Sequence, residues 1–221
     1  MRPSRSLILL GALAAAGCTL PQKPAPRPVV TAAPRTKADI WQAVANPSDL
    51  NRIRRVATGW SSGLGEARAA GFGDQIRAEG RLLNPDAAKA RPAPTPGSYS
   101  CRMVSLGKKN GKGPAFERFK PFFCYVEVEG PLFTIVKQTG SQRPAGRLWE
   151  DDVSSRLIFL GSVAIGNEDE ARAYGDDPKR DVAGIFERIG PFIWRLVIPY
   201  PQDGAKVQVF ELTPVAEQPK E

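Results

Sequence analysis

The chain has 221 residues, 42% of them hydrophobic and 24% charged, a composition that excludes a disordered or fibrous chain and leaves room for a sizeable core. It contains no histidine, which removes the commonest general base, the commonest metal ligand and every Ser–His or Cys–His catalytic arrangement. The net charge of +8 is unevenly spread, ten basic residues against four acids over 91–150 and eight against thirteen over 151–221, whereas a nucleic-acid binder concentrates its cations on one face; no nucleic-acid partner is expected.

The first segment reads as an address. Arg2 and Arg5 precede an apolar run over 7–16, which is shorter than the roughly 20 residues that span a bilayer. A basic start, a short apolar stretch and small residues form a secretory signal over 1–17. The run ends Ala15-Ala16-Gly17-Cys18, which resembles the lipobox of bacterial lipoproteins, with Ala15 where that signal usually carries Leu. The resemblance implies cleavage before Cys18, lipidation of its thiol and membrane association through the anchor. Thr19 in place of Asp after the cysteine leans the expected location toward the outer membrane, facing the periplasm. Residues 18–36, rich in proline, form an extended tether of about 3.1 Å per residue.

Residues 37–90 read as a helical hairpin. Leu50, Ile53, Ala57, Trp60, Leu64 and Ala67 recur at spacings of three and four, one apolar stripe started by Asn46-Pro47-Ser48-Asp49. Gly71-Phe72-Gly73 breaks it, and Ile76, Leu82 and Leu83 continue into a second helix that stops at Asn84-Pro85. After a second proline-rich stretch the period changes to that of strands. Eight are read, at 99–106, 122–129, 132–138, 147–149, 156–163, 182–189, 192–198 and 207–212, with a loop or short helix over 166–175 and a disordered tail over 215–221. The expected fold is α+β: the helical hairpin packs on an antiparallel, mostly up-and-down sheet over 97–214, a small closed or nearly closed barrel of about eight strands, with a β-sandwich or curved open sheet as the alternative.

With Cys18 assigned to lipid, Cys101 and Cys124 remain, an even number that points to one disulfide in an exported protein. Their midpoint falls at Lys112, inside the turn-forming Lys109-Asn110-Gly111-Lys112-Gly113-Pro114, as expected for two positions facing each other across a hairpin.

Several short segments together resemble a known family: Gly97-Ser98-Tyr99-Ser100-Cys101-Arg102, Thr139-Gly140-Ser141-Gln142-Arg143-Pro144, Phe159-Leu160-Gly161, Tyr174-Gly175-Asp176, Arg180-Asp181, Gly184, Glu187-Arg188-Ile189-Gly190 and Trp194-Arg195-Leu196-Val197. Over about residues 39–215 the chain resembles bacterial exported proteins catalogued as domain of unknown function number 4893. The resemblance implies an envelope address and carries no activity, so it supplies no catalytic residues.

Four features are candidate sites. Thr139, Gly140, Ser141, Gln142 and Arg143 form a polar loop suited to anion binding through backbone N–H groups and a guanidinium, or simply a turn. Lys137 beside it is the one base that a serine there would have, with nothing in the sequence to position it. The acidic stretch from Glu168 to Asp181 does not have the ligand spacing of a calcium loop and reads as solvated; no metal and no cofactor is assigned. The basic tip 108–112 reads as a soluble turn. Phe133, Phe159, Phe186, Trp194 and Phe210 would either fill the barrel or line a ligand cavity, and Arg102, Arg188 and Arg195 would lie outside it or pair inward with Glu127 or Glu211. No catalytic residue is assigned. The leading functional expectation is an envelope lipoprotein that acts as a non-enzymatic binding module for a partner protein, a small apolar ligand or an envelope polymer. A histidine-independent enzyme and a structural spacer are the alternatives.

Overall fold

The computed structural model describes residues 34–215. The signal segment, Cys18, most of the tether and the tail beyond Val215 lie outside the described residues.

The helical region is four short helices, not two: α1 (Lys37–Val44), α2 (Pro47–Arg54), α3 (Val56–Ala69) and α4 (Gly73–Ala78), followed by 3-10 turns at Gly80–Leu83 and Pro85–Ala87. Local chemistry sets the starts. Thr36 and Asp39 form a reciprocal capping box on α1, and Asn46 caps α2 with Pro47 behind it. The apolar stripe read as continuous is interrupted at Arg55, whose backbone leaves the helical region (φ −99°, ψ 12°). That break re-phases the stripe: Ile53, Trp60, Leu64 and Ala67 are buried, whereas Ala57 is exposed and Val56 turns inward instead. Gly63 lets α3 lie close to the sheet, since a Cβ there would stand 3.0 Å from that of Leu106.

Nine strands follow: β1 (Gly97–Leu106), β2 (Phe116–Arg118), β3 (Phe122–Glu129), β4 (Leu132–Lys137), β5 (Gln142–Glu150), β6 (Arg156–Ile165), β7 (Asp181–Gly190), β8 (Ile193–Pro199) and β9 (Val207–Pro214). All neighbours are antiparallel, and β1 pairs with β9 from Tyr99↔Pro214 to Leu106↔Val207, closing β1 and β3–β9 into an eight-stranded barrel. The strand β2, unread in the sequence because it has only three residues between prolines, is additional. It pairs with the second half of β1, whereas β3 pairs with the first half. Strand β5 is longer than expected. Pro144 sits within it because the ladder with β4 begins only at Ala145, so its missing N–H is not needed there. Gly146 and Gly161 oppose each other across β5 and β6 at a separation that would put a Cβ on either within 2.4 Å of the other strand's backbone.

Cys101 and Cys124 are disulfide-bonded, with Cα atoms 6.0 Å apart. They are not directly opposed: Cys101 faces Phe122 and Cys124 faces Tyr99, so the bond runs diagonally between β1 and β3. The Lys109–Lys112 turn closes the β1–β2 hairpin instead.

The barrel is packed in two layers. Inward side chains such as Tyr99, Phe159, Phe186, Trp194 and Leu212 form one cluster. Outward side chains on β1 and β6–β9, including Val104, Val197, Val209 and Ile158, meet the helices through Trp41, Ile53, Trp60 and Leu64. Strands β6–β8 are therefore buried on both faces for most of their length, which accounts for apolar stretches such as Leu157–Leu160 and Leu196–Ile198. Arg195 is outward on β8 yet 0% exposed, covered by the helices. Its guanidinium donates to Glu187 (2.7 Å) and to the carbonyls of Arg81, Leu82, Asn84 (2.6 Å) and Pro85, and lies 5.2 Å from the Trp60 ring centre. It thereby terminates the 3-10 turns and ties them to the barrel. Arg195→Met leaves a carboxylate and several buried carbonyls without a donor; the expected loss is about 3–5 kcal/mol, read as a fall in the urea unfolding midpoint.

Candidate functional site

The two ends of the barrel differ. At one end Tyr99 and Trp194 meet edge to face with centroids 5.9 Å apart, and the Tyr99 hydroxyl donates to the Thr95 carbonyl. The chain enters the domain at this end: Lys37 pairs with Glu150, and Trp41 Nε1 donates to Asp151 at the β5–β6 turn (2.9 Å). Burial raises the Asp151 pKa, but hydrogen bonds from Trp41 and Arg156 outweigh it and hold the carboxyl below its usual range.

The opposite end is an open mouth. Two adjoining cavities, of about 210 and 630 Å³, share Met103, Lys137, Gln142, Asp203 and Gln208 in their walls. The smaller is predominantly apolar, lined by Val163, Val182, Ile198 and Phe210 with Ile165 exposed at its edge; the wider extends past Phe119 and Phe122 to the Thr139–Gln142 turn. The wider one lies within the range of small-molecule sites, ~300–1,000 Å³. Apolar walls with a few converging polar groups are what such sites share.

Strand β1 changes partner at the mouth: β3 pairs with it up to Cys101 and β2 from Val104, and the connecting Phe119–Phe122, with the Phe119 N–H donating to the Met103 carbonyl (2.9 Å), line the wider cavity. The disulfide pins β1 to β3 immediately below.

The cations of the mouth are in different states. Lys109 pairs with Glu117 (3.0 Å) and Asp203 (3.6 Å); burial alone would lower its pKa, but these carboxylates outweigh it and the pKa is raised. Arg180 is held by Glu168. Lys137 follows Phe133 and Ile135 on the inward face of β4 and is half-buried. Its Nζ donates to the Gln142 carbonyl (2.9 Å) and lies 4.3 Å from the Phe122 ring centre. Among the described residues no carboxylate lies within 4.0 Å of it. Burial, and then the like charge of Arg143, lower its pKa. Asp203 is the one carboxylate lining the two cavities, and it already accepts from Gln208 (3.0 Å) and from the Ala205 backbone (3.1 Å).

The predicted loop is split by strand alternation. Thr139, Gly140, Ser141 and Gln142 border the mouth, while Arg143 turns to the outer side and donates to the carbonyls of Gly140, Gly166 and Glu168. It staples two loops and is not aimed at the cavity. Lys137, named in the sequence only as an unpositioned base, is the cation the fold places inside; the alternation Phe133, Ile135, Lys137 was the signal for it. Of the interior aromatics, Phe210 lines the cavity, whereas Phe159, Phe186 and Trp194 fill the barrel below. Arg102 faces outward to Glu79 and Glu211, and Arg188 holds the Ala90 carbonyl.

The acidic stretch is dispersed among internal partners. Asp177 lies within reach of Arg172 and Arg180, and Asp181 is fully buried beside Asp49, the two carboxylates bridged by Asn46 Nδ2 (3.0 and 2.8 Å). Burial raises the Asp181 pKa, and burial likewise pushes the Tyr174 phenol, which donates to Asp49, well above its ordinary value. This cluster, with both carboxylates buried and Asn46 and Tyr174 partly exposed, joins the 174–181 loop to α2.

The sequence profile of one family, described as a domain of unknown function (DUF4893), matches residues 41–212. The chain belongs to this family. The matched span takes in the helices, all nine strands nearly complete, and both cavities. No curated protein and no solved structure matches the chain.

Arg143→Gln removes the like charge beside Lys137. The Lys137 pKa is expected to rise toward the ordinary lysine value, by contrast with wild type, in an NMR titration of the lysine side-chain resonances.

Proposed function

We propose that this family member is a lipid-anchored envelope protein whose barrel mouth binds a small ligand without transforming it. The observation that carries the reading is the mouth itself: an apolar cavity in a closed barrel, with Lys137, Gln142 and Gln208 converging at its rim. The filled far end leaves this as the entrance to the interior. A binding role is favoured over carboxylate-based acid–base catalysis by the state of the mouth's charges: Asp203, the one lining carboxylate among the described residues, is occupied by Gln208, Ala205 and Lys109.

The address rests on the sequence. Arg2 and Arg5, the apolar run over 7–16 and Cys18 support export and lipidation, and the disulfide fits an oxidising compartment such as the periplasm. The outer membrane is the proposed destination.

Binding is tested with a neutral fluorescent probe, N-phenyl-1-naphthylamine, so that the outcome does not depend on ligand charge. Wild type is expected to take up one equivalent saturably. Val163→Trp, which fills the cavity from β6, is expected to lower probe affinity at least tenfold with an unchanged fold by circular dichroism. Equal binding by both proteins would remove the mouth as the site. For the address, intact-mass analysis of protein extracted from envelope membranes is expected to show a chain beginning at Cys18 with acyl additions, gaining two protons on reduction. A soluble, unacylated chain would contradict it.

A further inference from the structure

The state of Lys137 narrows the class of ligand. The Lys137 ammonium stands at the mouth, where the protein supplies it only a carbonyl and a ring face, so an anion placed there gains charge-assisted hydrogen bonds that no neighbouring group already makes. Three N–H donors are available on a protonated lysine, one of which is used by the Gln142 carbonyl, so two remain. The neighbouring charges do not supply the anion. Asp203 is taken by Gln208, Ala205 and Lys109, Glu117 by Lys109, and Glu168 by Arg180 and the Ile165 backbone. Arg143 adds positive charge from behind the strand. Lys120 and Lys179, exposed at the rim, have no carboxylate within 4.0 Å among the described residues, so the opening as a whole carries an excess of positive charge.

The smaller cavity that Lys137 borders has apolar walls, Val163, Val182, Ile198 and Phe210, with Ile165 exposed at its edge. A cavity of about 210 Å³ is small, so the apolar part it accepts is short. A positively charged rim over a short apolar well is complementary to one kind of molecule, a single anionic head on a short apolar tail.

We infer that the mouth binds a short-chain carboxylate amphiphile, its carboxylate on Lys137 and its tail in the well between β6, β7 and β9. This rests on the proposal that the mouth is a ligand site and adds the chemical class of the ligand. The two carboxylate oxygens accept the two free N–H groups of Lys137 in charge-assisted hydrogen bonds, shorter and stronger than neutral ones. Gln142 and Gln208 lie beside that position and offer amide donors.

The test is isothermal titration calorimetry on the purified protein with three probes of equal tail length: octanoate, octan-1-ol and octylammonium. Octanoate is expected to bind about tenfold or more tighter than octan-1-ol, as a charge-assisted hydrogen bond implies, and octylammonium more weakly than either. Lys137→Met, which keeps the apolar stem, is expected to erase the preference for octanoate while leaving octan-1-ol affinity within about twofold; Lys137→Arg is expected to retain it. Equal affinity of wild type for octanoate and octan-1-ol, or a preference that survives in Lys137→Met, would overturn the assignment of the head group while the mouth still stood as a ligand site. Failure of all three probes, together with loss of N-phenyl-1-naphthylamine binding, would overturn the mouth as a ligand site and this inference with it.

Discussion

The pairing of β1 with β9 is the constraint on which the remaining architecture depends. Eight consecutive residue pairs join the first and last strands of the barrel, which lie more than a hundred residues apart in sequence. Closure satisfies the backbone groups of both strands and leaves no long open edge. It also fixes which residues face inward, because a one-residue slip would exchange the two faces of every strand. With β9 occupying one side of β1, only the other side remains, and it is divided between β3 and β2. The residues that connect the two, Phe119–Phe122, line the wider cavity, and the Cys101–Cys124 bond lies at the point where the partner changes.

A closed barrel of eight strands has two surfaces to satisfy. The interior is filled at one end by aromatic side chains and left open at the other. The exterior is treated asymmetrically. On β6–β9 and part of β1 the outward residues are as apolar as the inward ones, and the helices cover them. On β3 the outward Phe123 and Tyr125 remain exposed. Covering a sheet with short helices leaves many helix ends to satisfy, and buried cations supply part of what they need. Arg195 collects the carbonyls of the 3-10 turns, and Glu79 is held between Arg102 and Arg118. The helical layer thus depends on buried ionic contacts as well as on apolar packing.

The mouth inherits its chemistry from this arrangement. Several connections and the ends of the strands converge there, drawn from residues spread between Met103 and Phe210. Most charged groups around it are paired within the protein, so that the unpaired amine of Lys137 acquires its meaning only from the pairing of its neighbours. A lysine on a strand is ordinary. A lysine on the inward face of a closed barrel, between a carbonyl and an aromatic ring at the open end, is the feature on which the proposed head-group contact rests.

Much of the fold was legible in the sequence. The period-two alternation and β-branched content of β1, β3, β4 and β6–β9 reported their own local geometry, and the apolar stripe from Ile53 to Ala67 reported a helical face. Pairing of Cys101 with Cys124 followed from the number of cysteines, and the family from short motifs. The break at Arg55 was not legible, because it lies within an apolar rhythm that a straight helix would also satisfy; packing on two different parts of the barrel wall decided it. Nor was β2, since three residues carry no measurable period, nor the full length of β5, where Pro144 and Gly146 resemble a turn unless the neighbouring strand ends are known. The candidate site was half legible: the polar turn over 139–142 read from the sequence does line a cavity, but whether Arg143 or Lys137 faced it depended on the register and closure of the barrel. Sequence determined what each strand prefers locally, and the disulfide and the family with it. Tertiary structure alone decided which cations of the mouth found carboxylates and which, Lys137 among them, did not, because that depends on contacts between residues distant in the chain.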